Sequence, residues 1–206
     1  MDEDARQSAF MSALTAEHFV LQTAATSTIT EAAARSSLYV FSLSSSLVAI
    51  GFASQSPGVF MPLVAVVLPA VFLLGVFTVV RLVDTAVENI QYLAGIARVR
   101  SYYRTLGPEA QTYFAADSGR WPEASAPPSQ SLGPFIALLG TTATMIAFID
   151  SIVAGAVVTL GINALRGGHH VGVALTCGIV SVVLLMTAFV VYQRWRFSIV
   201  QIATTH

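Results

Sequence analysis

Four stretches of the chain are almost free of charged side chains and are long enough to cross a bilayer. They comprise residues 38–54, 60–80, 135–165 and 171–192, and Asp150 is the one charged residue among them. A helix needs about 20 mostly apolar residues to cross about 30 Å of hydrocarbon. Composition agrees, since 55% of the residues are hydrophobic and only 10% are charged, against about 25% charged residues in soluble domains. The sequence therefore predicts an all-α membrane protein with four transmembrane helices in two hairpins.

The arginines are distributed unequally between the two sides of the predicted spans. The other side carries one arginine, Arg166, whereas the side of the termini receives Arg6, Arg35, Arg98, Arg100, Arg104, Arg120, Arg194 and Arg196. Cytoplasmic loops of membrane proteins carry an excess of basic residues. We therefore expect a multi-pass protein of the cell membrane with both termini in the cytoplasm.

Composition divides the chain into six segments. We expect a cytoplasmic N-terminal helix at 1–36, a first transmembrane hairpin at 37–82, a cytoplasmic helical extension at 83–114, a linker rich in Pro, Ser and Ala at 115–134, a second transmembrane hairpin at 135–193 and a cytoplasmic tail at 194–206. The second span meets no Gly-Pro pair before Gly107 and should continue into the cytoplasm as one helix.

Two seams of small or apolar residues, of which the N-terminal one is only weakly apolar, predict that the N-terminal helix packs on the cytoplasmic extension. One comprises Met11, Leu14, His18, Leu21, Ala25, Thr28 and Ala32, and the other comprises Val83, Val87, Ile90, Ala94 and Ala97. Both repeat every three to four residues, which is the period of one helix face. Glu31, Arg35, Arg81 and Asp84 would then form an ionic collar at headgroup level, or would simply be a set of solvated charges.

Asp150 is the strongest candidate for a functional residue. It lies midway between residues 135 and 165, and an aspartate at the centre of a span costs about 2.5 to 3.5 kcal/mol on insertion scales. The expected partners are serines of the first span, Ser42, Ser45 and Ser46. The acid and the serines form either a closed polar contact that sets helix register or a hydrated path in which acids from several subunits attract cations. A third reading places the acid shallower because its helix is tilted or interrupted.

Three arginines accompany two tyrosines in the cytoplasmic extension. Arg98, Arg100 and Arg104 stand around Tyr102 and Tyr103. This pattern fits a face for anionic lipid headgroups or for a partner's acids, and it fits equally a solvated helix surface.

Known catalytic motifs are missing from the sequence. It contains no G-x-S-x-G nucleophile elbow, no H-E-x-x-H zinc helix and no phosphate-binding G-x-x-x-x-G-K loop. We therefore expect no enzymatic activity, no cofactor and no metal site. The formal net charge of −1, with few and scattered basic residues, argues against a nucleic-acid partner.

Several runs in the first half of the chain carry a family resemblance. They are residues 17–22, 34–39, 47–52, 83–89 and 98–103, which read EHFVLQ, ARSSLY, LVAIGF, VDTAVEN and RVRSYY. These runs resemble multi-span membrane proteins of high-GC Gram-positive bacteria, a group that implies no particular activity. The helix and hairpin arrangement is also similar to SLATT-type membrane effectors, which have two spans instead of four and whose resemblance implies a role in bacterial defence.

Two functions are consistent with these features. The first is an oligomeric cation channel or pore-type effector, and the second is a non-conducting membrane scaffold or sensor whose cytoplasmic helices bind a protein partner. We expect a homo-oligomer in the lipid bilayer, because the small-residue faces exceed what four helices need for internal packing.

Overall fold

The described part of the chain is built from helices alone. A computed structural model describes residues 2–116, 123, 140–167 and 170–204, and no strand occurs among them. The elements are α1 (Glu3–Ala53), α2 (Pro57–Tyr103), a 3-10 turn (Arg104–Leu106), α3 (Pro108–Tyr113), α4 (Thr142–Leu165) and α5 (Val171–Thr204). The predicted all-α class is confirmed. Most of the predicted linker at 115–134 lies outside the described residues, as does the start of the third predicted span at 135–139.

Four of these helices are long and apolar enough to cross a membrane. The prediction of transmembrane helices is therefore confirmed by length and composition. The predicted N-terminal helix and first span form one element, because α1 continues without a break for 51 residues. Helix α2 runs for 47 residues and passes Arg81 as predicted.

The ends of the helices follow from local hydrogen-bonding chemistry. The turn after α1 is closed by Ser56 N, which donates to Ala53 O at 2.9 Å, and Pro57 then begins α2, where its missing N–H costs little. Thr141 caps α4 by accepting from Thr144 N at 3.3 Å. Gly167, at φ 62°, follows the end of α4 in the left-handed conformation that glycine adopts readily.

The cap at Thr141 changes the predicted position of Asp150. Because α4 begins at Thr142, Asp150 follows the start of the helix by eight residues, or about 12 Å, and is not at its midpoint. Threonine is a favoured N-cap residue because its hydroxyl satisfies a free backbone N–H.

The chain divides into two compact units. The first comprises Met1–Glu31, Thr85–Ala137 and Ile199–His206, and the second comprises Ala32–Asp84 and Leu138–Ser198. In the first unit, α1 contacts α2 in antiparallel order. The Phe10 and Tyr102 rings meet edge to face at 5.3 Å, and Thr28 Oγ1 donates to Asn89 Oδ1 at 3.2 Å.

The predicted seam residues in the first unit are withdrawn from solvent to different degrees. On α1 the seam residues Met11, Leu14, His18 and Leu21 are half-buried, whereas Ala25 and Thr28 are buried. On α2 the residues Val87 and Ala94 are buried.

The core of the second unit joins α1, α2, α4 and α5. Its buried residues are Tyr39, Val71, Val79, Leu82, Val83, Ala143, Ile146, Ala147 and Phe189. Glycines bring α4 and α5 together, because a Cβ at Gly155 would lie 3.0 Å from Gly178 O and one at Gly178 would lie 2.8 Å from Gly155 O. Small residues allow such close backbone approach in membrane helices.

Candidate functional site

Asp150 is enclosed within the second unit. Its side chain belongs to α4 and the residue is only 4% exposed. The Tyr39 hydroxyl on α1 donates to Asp150 Oδ1 at 3.1 Å, and Tyr39 itself is 0% exposed. The two residues are 111 positions apart in the chain, so their contact ties α1 to α4.

Helix α2 also packs against the Asp150 carboxyl group, at Gly75. A Cβ atom built at Gly75 would overlap both carboxyl oxygens of Asp150. Any other residue type at position 75 would therefore have to displace the acid or separate α2 from α4. The absence of a side chain at Gly75 makes room for the Asp150 carboxyl group.

The position of the contact along the helices is closer to the arginine-bearing end than to mid-span. Tyr39 follows Arg35 by four residues, and Gly75 precedes Arg81 by six. At about 1.5 Å per residue these separations are about 6 and 9 Å. The depth of Asp150 in a bilayer stays a prediction, with the shallower position among its alternatives.

A second polar contact lies between Asp150 and the same end of the unit. Gln193 on α5 is 1% exposed. Its Oε1 accepts from Thr144 Oγ1 at 3.4 Å, and its Nε2 donates to Thr141 Oγ1 at 3.3 Å. Buried polar side chains that bond one another across helices fix their relative position. This layer joins α5 to the start of α4.

Two of the three predicted serine partners of Asp150 donate their hydroxyls to backbone carbonyls. Ser42 Oγ donates to Leu38 O at 2.8 Å and Ser46 Oγ donates to Ser42 O at 2.7 Å, while Ser45 is exposed. The hydroxyl that reaches Asp150 belongs instead to Tyr39, which sequence reasoning missed. A signal was present, because Tyr39 precedes Ser42 and Ser46 by three and seven residues and shares their helix face.

The four residues of the predicted ionic collar stand in different surroundings. Asp84 forms an ion pair with Arg196 on α5, a partner that the sequence reasoning did not consider. Glu31 and Arg81 are half-buried and Arg35 is exposed. The collar as a set stays a prediction.

The arginines of the predicted lipid or partner face are partly engaged within the first unit. Arg100 Nε and Arg104 Nη1 contact the two carboxyl oxygens of Glu123 at 2.7 and 2.6 Å, and the Glu123 side chain is 5% exposed. The Arg100 guanidinium also lies 5.8 Å from the centre of the Phe114 ring. Arg98 is exposed. Glu123 was assigned to a linker, so its role in binding these two arginines was not foreseen.

Two grooves in the second unit are lined almost entirely by apolar side chains. One, of about 240 Å³, is lined by Met61, Val64, Ala65, Leu68, Pro69, Val157, Leu160, Gly161 and Ala164. The other, of about 370 Å³, is lined by Pro69, Phe72, Ala154, Val157, Val158, Ser181, Leu184 and Leu185. Neither lining contains a charged residue. Within the described ranges no three His, Cys, Asp or Glu side chains are grouped as a metal ion would require.

Comparison with known proteins adds no relative. No family model, no curated protein and no solved structure matches the chain.

Proposed function

We propose that this multi-pass protein of the cell membrane is a non-conducting scaffold or sensor that binds a protein partner through its cytoplasmic helices. Both termini are cytoplasmic in this proposal, and the protein is a homo-oligomer in the bilayer. The observation that carries the proposal is the enclosure of Asp150 by Tyr39 and Gly75.

The environment of the acid supports one of the two functions considered from the sequence. A carboxylate that attracts cations into a pore has to face water, because the ion exchanges its hydration shell for protein oxygens. Asp150 is 4% exposed and has a tyrosine hydroxyl on one of its oxygens. That arrangement favours the closed polar contact that sets helix register. The apolar linings of the two grooves likewise favour a protein that does not conduct ions.

The extension of α2 supplies a partner-binding region. Helix α2 continues 22 residues beyond Arg81 to Tyr103, which corresponds to about 33 Å of helix. Leu106 and Tyr113 follow it and are 47% and 79% exposed. Exposed aromatic residues are frequent anchors of protein interfaces. An interface there accounts for apolar side chains on a segment that the charge pattern assigns to the cytoplasm.

Ion flux from the purified protein in vesicles tests the proposal. Protein reconstituted under a potassium gradient should release no more cation than protein-free vesicles, and Asp150→Asn should leave that background unchanged. A gramicidin-treated sample confirms that the vesicles hold a gradient. Cation release by the parent protein that Asp150→Asn reduces would contradict the scaffold and would establish the oligomeric channel instead.

The partner is tested separately by site-specific crosslinking in native membranes. A photoreactive residue at position 113 should give a defined crosslinked protein, and the same residue at the exposed position 15 on α1 serves as the control. An identical pattern from both positions would contradict a partner surface near Tyr113.

A further inference from the structure

Helix α1 carries a second, exposed seam in addition to the one that contacts α2. We define the back face of α1 as the uncharged residues Ser12, Ala16, Phe19, Thr23, Thr26 and Thr30, all of which are exposed. Their spacing alternates between four and three residues, which is a heptad repeat. The seam that contacts α2, from Met11 to Thr28, has the same period. A helix with two heptad seams is equipped to pack between two other helices, and within the first unit α2 occupies one of them.

The chemistry of the back face is unusual for a helix in water. Among residues 7–30 the only Asp, Glu, Lys or Arg is Glu17, which lies outside the back face, whereas a protein surface is typically about 25 to 35% charged. Phe19, near its centre, is 62% exposed. The hydroxyls of Thr23, Thr26 and Thr30 donate to backbone carbonyls one turn earlier, at 2.9 to 3.1 Å. Their methyl groups therefore contribute much of the outer surface.

We infer that the back face is where two copies of this chain meet, with their α1 helices parallel. Copies inserted in one bilayer have the same orientation, so their first helices are parallel without further constraint. Symmetric parallel pairing places each residue next to its own copy, and any charge on the contact line would then face an identical charge. The back face has no charge at any of its positions and is complementary to itself.

The continuation of the repeat favours a second copy over other occupants. The same spacing proceeds through Ala33, Ser37, Val40, Ser44, Leu47 and Gly51, which are exposed and uncharged as well. A soluble protein cannot follow a helix into hydrocarbon, and lipid cannot cover the part that lies in water. A parallel α1 from another copy covers both. The inference rests on the proposed homo-oligomer and names the surface that forms it.

Disulfide crosslinking tests this surface in the full-length protein. In a Cys177→Ala background, Thr23→Cys and Thr26→Cys should give a covalent dimer when vesicles are treated with copper phenanthroline. Ala13→Cys and Val20→Cys, which are exposed on the flank of α1, should give little or none. Equal crosslinking at flank and back-face positions, or none at the back face, would overturn the inference.

Introduced charge provides a second, non-covalent test. Thr23→Glu combined with Thr30→Glu should weaken self-association in vesicles by about tenfold or more, since like charges would be opposed at two levels. Ala13→Glu combined with Val20→Glu is the matched control and should change it little. An oligomer that resists the back-face charges overturns this surface alone, whereas a parent protein that is monomeric at all densities overturns the proposed homo-oligomer too.

Discussion

At the scale of single residues, the Tyr39–Asp150 contact is better explained by specificity than by stability. Interhelical hydrogen bonds in membranes contribute about 0.6 kcal/mol on average and about 1.7 kcal/mol at most. Burying a polar group away from water costs about 1 to 3 kcal/mol in proteins. A hydrogen bond of average strength does not offset that cost. The space at Gly75 lets the carboxyl group lie inside the second unit, and its hydrogen bond with Tyr39 favours one register of α1 against α4.

Substitution of Gly75 should expose the tightness of this enclosure. Gly75→Ala should lower the free energy of unfolding by about 1 to 3 kcal/mol, the usual range for overpacking, because the new methyl group overlaps the Asp150 carboxyl group. Thermal unfolding in detergent micelles measures the change. Gly161→Ala on α4 is the control, since a Cβ there meets nothing within 4 Å. Equal stability of the two variants would count against a closed site.

The sequence predicted one member of this contact and not the other, for a physical reason. Asp150 stood out because an acid in an apolar span is costly in any fold. Tyr39 did not, because its partner is 111 residues away and only tertiary packing brings the two together. The serines were predicted as partners of Asp150 because they are polar. A serine in a helix can instead donate its hydroxyl to the backbone carbonyl one turn earlier, as Ser42 and Ser46 do.

At the scale of helices, the sequence predicted the continuation of α2 but not the start of α4. The continuation of α2 past Arg81 followed from the absence of a Gly-Pro pair before Gly107. The start of α4 was not predicted, because the absence of charged residues defined the predicted span. The helix begins after an N-cap threonine, Thr141, that lies within an uncharged run. Reading threonine as an N-cap residue would have moved the boundary.

The crossing of α4 and α5 should depend on its glycines. Gly178→Val should lower the free energy of unfolding by about 2 kcal/mol or more, because a Cβ there would lie 2.8 Å from Gly155 O and cannot be accommodated without separating the helices. Unfolding in micelles provides the measurement. Gly172→Val on α5 is the control, having nothing within 4 Å. A loss of equal size in both variants would show that valine at a helical glycine is the cause, and not the crossing.

At the scale of the whole molecule, composition determined the class and left the function open. Four apolar helices identify a membrane protein by length and composition. The choice between pore and scaffold depends on whether the Asp150 carboxyl group faces water, and composition contains no information on that. Among the described residues, the polar contacts at Asp150 and Gln193 join α1, α4 and α5 within the second unit. In the proposed function these contacts, together with the space that Gly75 on α2 leaves for the Asp150 carboxyl group, hold the four helices in one arrangement. This is its central claim.

Chemical modification of carboxyl groups tests that claim most directly on the unaltered protein. Vesicles that contain the full-length chain are treated with a water-soluble carbodiimide and glycine ethyl ester, and modified peptides are quantified by mass spectrometry. Glu17 and Glu109, both exposed, should be modified readily. Asp150, at 4% exposure, should remain unmodified on the same timescale. Modification of Asp150 at a rate comparable to that of Glu17 would mean that the carboxyl group faces water, and it would contradict the account.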